Sequence, residues 1–341
     1  MRAAVLCKPG VIRVEDVDPP RVGPDDVLIR VRAVGICGSD VHYYRRGRIG
    51  GYVVERPLIL GHELAGEVDD VGGDVEGFEA GDRVAVEPGV GCRKCWYCKI
   101  GRYNLCREER FMTTPPVDGA FAEHVAWPSD FVFHLPDHLS FEEGALIEPV
   151  AVAVNAAHKG EVRGGDVVAV LGAGPIGLVT LQVAKASGAT RVYVTDKEDY
   201  RLRLARKLGA DEVIDVSRED PVARMMELTE GVDVALEASG AISAAQDAIR
   251  VTRRAGRVVL IGMYPEGQFP IKVLEVPLKE LTVRGVLRYA GQYEIALELV
   301  SSGKVNVRPL ITHRFPLEEL ERAIRIVEER SENVIKAIIR P

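Results

Sequence analysis

Residues 167–196 read VVAVLGAGPIGLVTLQVAKASGATRVYVTD. An apolar β-branched run meets a glycine-rich turn, then apolar residues at helical spacing, then a second β-branched run closing on Asp196. That order is strand, tight turn, helix, strand, and a connection of that length makes the two strands parallel. The apolar part approaches the length of a membrane span, but three glycines and a proline interrupt it, which suits a turn better than a span. The alternation continues through RLRLARKLGA, DEVIDV, VDVALEASG, AISAAQDAIRVTRRAG and RVVLIGM. An α/β domain with a doubly wound parallel sheet of six strands is expected over 151–283.

A chain of 341 residues exceeds one ordinary core and calls for a second domain. Over 1–150, stretches such as DVLIRVRAVG and GDRVAVEPG are β-branched runs between Gly-Asp turns, without βαβ spacing. A mostly antiparallel β domain is expected there. SFEEGALIEPVAVAVNAAHKG opens with a serine cap and continues at helical spacing. From 284 a strand, two amphipathic helices and a last strand, VIKAIIRP, form a C-terminal segment expected to return to the first domain. Net charge is −7 and no basic tract occurs, so neither nucleic acid nor an anionic membrane is an expected partner. The start, MRAAVLCKPG, has too short an apolar run for a secretory leader, and a cytoplasmic location is expected.

Gly172, Gly174 and Gly177 follow a strand and open a helix, the context in which GxGxxG signals a dinucleotide site. The first glycine permits the turn, the second lets backbone approach a pyrophosphate, and the third lets helix pack on strand. The helix N-terminus supplies N–H groups and partial positive charge to the phosphates. Asp196 lies nineteen residues beyond Gly177, where a carboxylate accepts from both ribose hydroxyls and repels a 2′-phosphate. This favours NAD over NADP, with Lys197 and Arg201 close enough to soften the preference. The alternative is a glycine turn kept for packing, with Asp196 as a helix cap.

Four of the six cysteines, Cys92, Cys95, Cys98 and Cys106, fall in one loop, GCRKCWYCKIGRYNLC. Two-residue spacers let a turn aim sulfurs at one point, and four thiolates fill a tetrahedral zinc site completely. Such a site staples a loop and leaves no position for substrate. Unligated thiols, disulfides and an iron–sulfur cluster are the alternatives. Elsewhere Cys37 sits in VGICGSDVHYY, His62 and Glu63 in LGHELAGE, and Glu148 in the apolar GALIEPVAV. One thiolate, one imidazole and one carboxylate suit a zinc ion with an open fourth position. Spacing alone leaves open a core cysteine, a loop histidine and a solvated turn acid, because ligands this far apart form no local motif.

GICGSDVHYYRRGRIGGYVV, LILGHELAGEV, GDRVAVEPG, GRYNLC, GALIEPVAV and VNVRPLITHRFPLEE together resemble the zinc-containing medium-chain dehydrogenases. The likeness is strongest to the sorbitol (polyol) dehydrogenase branch and covers essentially the whole chain. It implies a GroES-like catalytic domain, a Rossmann domain and a cleft between them. It further implies oxidation of a secondary hydroxyl of a polyol by NAD, two zinc ions per subunit and a homotetramer. Catalytic zinc would rest on Cys37, His62 and Glu63, with Glu148 matching the residue that holds the metal's water. In some relatives the residue matching Glu148 moves onto the metal, so both glutamates are candidates. Ser39 and His42 match a proton relay; Tyr43, Glu148, Arg288 and Tyr289 match polyol-contacting positions. Gly172, Gly174, Pro175, Ile176, Gly177, Asp196 and Arg201 match cofactor contacts. So does backbone at Ile261, Gly262 and Met263 and at Val286, Leu287 and Arg288, toward the nicotinamide end.

Two departures from relatives are informative. Alcohol dehydrogenases carry cysteine where this chain has Glu148, and vertebrate sorbitol dehydrogenases lack the complete four-cysteine loop kept here. L-Threonine 3-dehydrogenase and glucose or butanediol dehydrogenases share the zinc and Rossmann parts and are the nearest rival activities. A zinc-ribbon regulator that senses NADH is the rival of a different class, and the acidic balance weighs against it.

Overall fold

Strand Asp26–Gly35 alternates buried and less buried residues, as a strand with one covered face must. It is the hub of a seven-stranded sheet. Along one edge it pairs antiparallel with Glu63–Val71, which pairs in turn with Arg83–Val86, followed by Val132–His134. On the other edge it pairs with His124–Pro128 and, nearer its end, with the C-terminal strand Lys336–Arg340. Strand Ile311–Pro316 then adds in parallel to Lys336–Arg340. Ile29, Val31, Leu64, Val84 and Phe121 belong to the apolar core of this part. The computed structural model describes all 341 residues. They divide into two compact units, Met1–Glu148 with Val307–Pro341, and Pro149–Asn306.

The second unit carries the parallel sheet. Its six strands run Glu212–Asp215, Arg191–Asp196, Val167–Leu171, Val232–Glu237, Thr252–Leu260 and Thr282–Gly285 across the sheet. Numbered along the chain that is the order 3-2-1-4-5-6, with every pair parallel. The order reverses between Val167–Leu171 and Val232–Glu237, where such sheets open a crevice at their carboxyl ends. No helix is long and apolar enough to cross a membrane.

The compact units divide at 148/149 and at 306/307, and the second division differs from the expected start of the C-terminal segment at 284. Residues 284–306 stay with the second unit, and only 307–341 return to the first. The expected strand VRGVLRY begins as Thr282–Gly285, which completes the parallel sheet. Helix Tyr293–Ser301 buries Tyr293, Ala296 and Val300, and Gln182 bonds the backbone of Asn306 in both directions. The amphipathic pattern of that helix names an apolar face but not the sheet that receives it. The single expected helix from Ser140 is also two, Phe141–Ala145 and Ile147–Lys159, the first opened by a reciprocal Ser140–Glu143 capping box.

Glu142, in the first turn of that short helix, ties it to the C-terminal strands. Its carboxylate accepts from Arg314 Nε at 2.9 Å and from Arg340 Nε at 3.0 Å. Burial alone would raise its pKa, but the two guanidiniums outweigh burial and hold it below the usual carboxylate value. A depressed carboxylate stabilises the fold above its unfolded pKa and loses that contribution as pH falls through the folded one. Glu142→Gln is therefore expected to cost about 1–3 kcal/mol at neutral pH, with the gap to wild type closing in acid. Denaturant unfolding at a series of pH values checks this, and a gap independent of pH would contradict it.

Candidate active site

Two segments separate in sequence meet at the carboxyl end of strand Asp26–Gly35. Cys37 lies just beyond that end and precedes helix Gly38–Arg46. Glu63 begins the neighbouring strand and stands opposite Gly35 in register, which brings His62 and Glu63 beside Cys37. Ligand atoms of Cys37, His62 and Glu63 all lie within 4.8 Å of one another. Gly35 is required here: a Cβ on it would sit 2.1 Å from Glu63 Oε2.

Two residues that sequence reasoning passed over hold this cluster. Asp40 is fully buried; its Oδ2 accepts from Cys37 N at 2.9 Å and its Oδ1 from Gly61 N at 3.1 Å. One carboxylate thus joins the Cys37 turn to the His62 turn. Gly61 has φ 93° and packs against the Phe121 ring, so the turn needs glycine. Lys336 is 3% exposed, and its Nζ donates to Ile36 O at 3.0 Å and to both Glu63 oxygens at 2.7 Å. Signals for both were present: an acid three residues after Cys37 in helix-capping position, and a lysine inside the apolar run VIKAIIR.

Without an added cation the buried Cys37 thiol stays protonated. Burial and then Glu63 push the Cys37 thiol up to about 12, with Lys336 working the other way. Burial also raises the Asp40 carboxyl, partly offset by His62. His62 Nδ1 is buried without a hydrogen-bond partner, 3.9 Å from Asp40 Oδ1. A divalent ion reverses this balance by stabilising thiolate and carboxylate together. The donor set and the crowding of anionic groups fit zinc. Glu148, buried at the start of helix Ile147–Lys159, acts electrostatically on both Cys37 and Lys336 but stands outside the three-residue cluster.

Helix Gly38–Arg46 carries Ser39, His42 and Tyr43. Ser39 Oγ is buried and has no hydrogen-bond partner. His42, one turn on, is half-buried; burial, then Arg46 and Arg45, lower its pKa below the usual imidazole value. Tyr43 is buried.

The four cysteines of the other loop also converge. Their sulfurs lie within 4.8 Å of one another, with Cys95 to Cys98 at 3.6 Å and Cys92 to Cys98 at 4.0 Å. Four sulfurs on a tetrahedral zinc at about 2.3 Å would be about 3.8 Å apart. Backbone N–H groups of Lys94 and Cys95 bring the Cys92 thiol down to about 7. All six cysteines are free thiols.

In the second unit Gly172 has φ 103°, and a Cβ on Gly177 would lie 1.8 Å from Gly172 O. Both glycines are therefore fixed by local geometry. A Cβ on Gly174 would meet only Arg201 Nη1, at 3.9 Å, which leaves open space in front of helix Pro175–Ala186. Asp196 Oδ2 accepts from Ala173 N at 2.7 Å, and its Oδ1 accepts from the backbone of Lys197 and Glu198 at 2.8 and 3.0 Å. The acid is thus locked to the glycine turn, with Arg201 Nη1 4.0 Å away. A glycine turn, open helix N-terminus and fixed carboxylate fit a dinucleotide. Ile261 and Gly262 donate to Glu237 O, which fixes the backbone after strand Thr252–Leu260, whereas the neighbouring Met263 is exposed. Val286 donates to Leu260 O, Leu287 is exposed, and Arg288 has φ 48° with its carbonyl held by Asn155 at 2.7 Å. Tyr289 is buried beside Tyr293.

Comparison with known proteins agrees with this geometry. Residues 23–137 match an alcohol dehydrogenase GroES-like domain, and residues 175–302 match a zinc-binding dehydrogenase domain. Sorbitol dehydrogenase of Bacillus subtilis is 43% identical over 100% of the chain and 97% of its own length. Sorbitol dehydrogenase of Homo sapiens is 45% identical over 92% of the chain and 89% of its own length. A zinc-binding dehydrogenase of Sinorhizobium meliloti solved with NADP superposes with TM-score 0.93 at 32% identity, covering 100% of this chain and 99% of that one. With its GroES-like sheet, parallel nucleotide-type sheet and Cys–His–Glu cluster, the chain belongs to the zinc-binding medium-chain alcohol dehydrogenase family.

Proposed function

We propose that the protein oxidises a secondary hydroxyl of a polyol, of the sorbitol or xylitol kind, to the ketone with NAD as hydride acceptor. The observation that carries this reading is the buried Cys37–His62–Glu63 cluster with the partnerless Ser39 Oγ two residues from Cys37. Zinc bound there supplies Lewis acidity, which lowers the pKa of a hydroxyl by several units. NAD in the glycine-turn site supplies the electron sink.

The chain's own residues orient the substrate and move the proton. Ser39 Oγ takes up the hydroxyl proton as it releases its own into the relay, and His42, kept neutral by its lowered pKa, is the group that passes a proton on to solvent. Within the first unit, Glu148 and Tyr43 are the polar side chains proposed to meet the remaining hydroxyls. The likeness to polyol dehydrogenases adds Arg288 and Tyr289 as candidates. Asp196 presents a fixed negative charge where a 2′-phosphate would lie, which favours NAD, although the Sinorhizobium relative holds NADP.

The two metal clusters support two zinc ions per subunit, one structural and one at the reacting centre. Strand Thr282–Gly285 is a sheet edge, and Val273, Leu274, Leu278, Val283 and Leu287 around it are exposed. An apolar edge of this kind supports self-association through the parallel sheets, as a homotetramer requires. Cysteines used as metal thiolates suit the cytoplasm.

The direct test is a substrate panel of polyols, L-threonine, butanediol and glucose with either cofactor, run on protein of measured zinc content. Polyols with NAD are expected to give the highest kcat/KM. Preference for threonine or butanediol would overturn the assignment, as would full activity after zinc is stripped. Asp196→Ala is expected to lower the NAD-to-NADP ratio of kcat/KM by about tenfold or more, about 1.4 kcal/mol of lost discrimination. An unchanged ratio would remove Asp196 from cofactor choice. Arg46→Gln takes away a positive charge that disfavours protonated His42. The His42 pKa then rises, and the acid limb of the pH profile moves to higher pH; a stationary limb would take His42 out of the relay.

A further inference from the structure

Lysine is almost never fully buried, because removing an ammonium from water is costly unless every donor is matched. Lys336 is buried and matched: three donors meet Ile36 O and the two oxygens of Glu63. Its partner is a carboxylate of the Cys37–His62–Glu63 cluster rather than a distant structural acid. The ammonium is held by that carboxylate on a strand whose Ile338 pairs with Gly35. Glu63 does not need Lys336 for its position, since it starts a strand in register with Gly35 and its carboxylate packs where a Gly35 Cβ would be. What Lys336 adds is charge.

We propose that Lys336 is a positioning residue that tempers Glu63, so that this carboxylate donates only part of its charge to the metal ion of the Cys37–His62–Glu63 cluster. The inference rests on the reading of that cluster as a zinc site. Both Glu63 oxygens already accept from the ammonium, and a carboxylate so engaged is a weaker metal ligand than a free one. The metal then keeps more of its positive charge for the substrate oxygen, and the ion is held less tightly than three unencumbered ligands would hold it. The same pairing neutralises Glu63 before any metal enters, which lets three acidic side chains, Asp40, Glu63 and Glu148, crowd around Cys37.

The test is the rate of zinc release from fully zinc-loaded protein to a chromogenic chelator. Cys37→Ala identifies which release phase belongs to this cluster. Lys336→Met removes the charge at similar length and is expected to slow that phase by about tenfold or more, since an ammonium near a dication favours its departure. A purely structural lysine predicts the opposite, because a loosened site loses zinc faster. Lys336→Gln, neutral but still able to donate to Glu63, carries the same measurement if the Met variant does not fold. Lys336→Arg keeps the charge and is expected to release zinc at the wild-type rate. Equal or faster release from the folded neutral variants overturns the inference, as does slow release from the arginine variant. Wild-type protein with no zinc phase sensitive to Cys37→Ala would instead overturn the zinc reading beneath it.

Discussion

The register between strands Asp26–Gly35 and Glu63–Val71 is the constraint on which the site depends. Gly35 stands opposite Glu63, so the residues just past one strand and those opening the next occupy one corner. A slip of one residue would turn Glu63 to the other face of the sheet and dismantle the cluster. The missing side chain at Gly35 leaves the space that the Glu63 carboxylate occupies in that register, since a Cβ would collide with it. Asp40 then locks the two turns together by accepting one backbone N–H from each, and Lys336 brings the last strand of the chain into the same corner. A family of contacts spanning most of the sequence therefore converges on a few side chains.

What the sequence made legible follows from how local each signal is. The parallel sheet could be read because strand, glycine turn, helix and acid occur within thirty residues and repeat. The four-cysteine loop could be read because its spacing is itself the geometry. Cys37, His62 and Glu63 have no local pattern, and only the likeness to known dehydrogenases brought them together before the strand pairing did. Asp40 and Lys336 stayed hidden for a physical reason. Each acts through a partner distant in sequence, Gly61 for one and Glu63 for the other, and neither pairing leaves a mark on periodicity. The last domain boundary was misplaced for the same reason: helix Tyr293–Ser301 advertises an apolar face without saying which sheet it covers.

Asp196 is a side chain whose role in the fold and whose proposed role at the cofactor do not compete. Its carboxylate accepts from the backbone of Ala173, Lys197 and Glu198, so it closes the glycine turn as a cap would. The cap and ribose readings are therefore compatible. A carboxylate fixed by backbone donors is held against swinging aside for a 2′-phosphate, and its rigidity is what would give its charge discriminating power. Arg201, with Nη1 4.0 Å away, is a cation placed to weaken that discrimination from within the same unit.

The two clusters that could hold a metal ion differ in what an ion bound there could do. The loop of Cys92, Cys95, Cys98 and Cys106 offers four sulfurs, and a tetrahedral ion bound there has no vacancy. Its neighbourhood is backbone N–H aimed at sulfur, which stabilises thiolates and does nothing to a substrate. The cluster at Cys37 offers three donors of three kinds, each restrained by a group that is itself no ligand: Asp40 beside Cys37 and His62, Lys336 on Glu63. Burial raises the cost of every charge there, and it holds the Cys37 thiol and the Asp40 carboxyl toward their protonated forms until a cation arrives. A site built only to staple the fold has no need of a buried lysine competing for its carboxylate. The competition makes sense where the ion's charge has to be left partly unspent, available to an oxygen brought by the substrate.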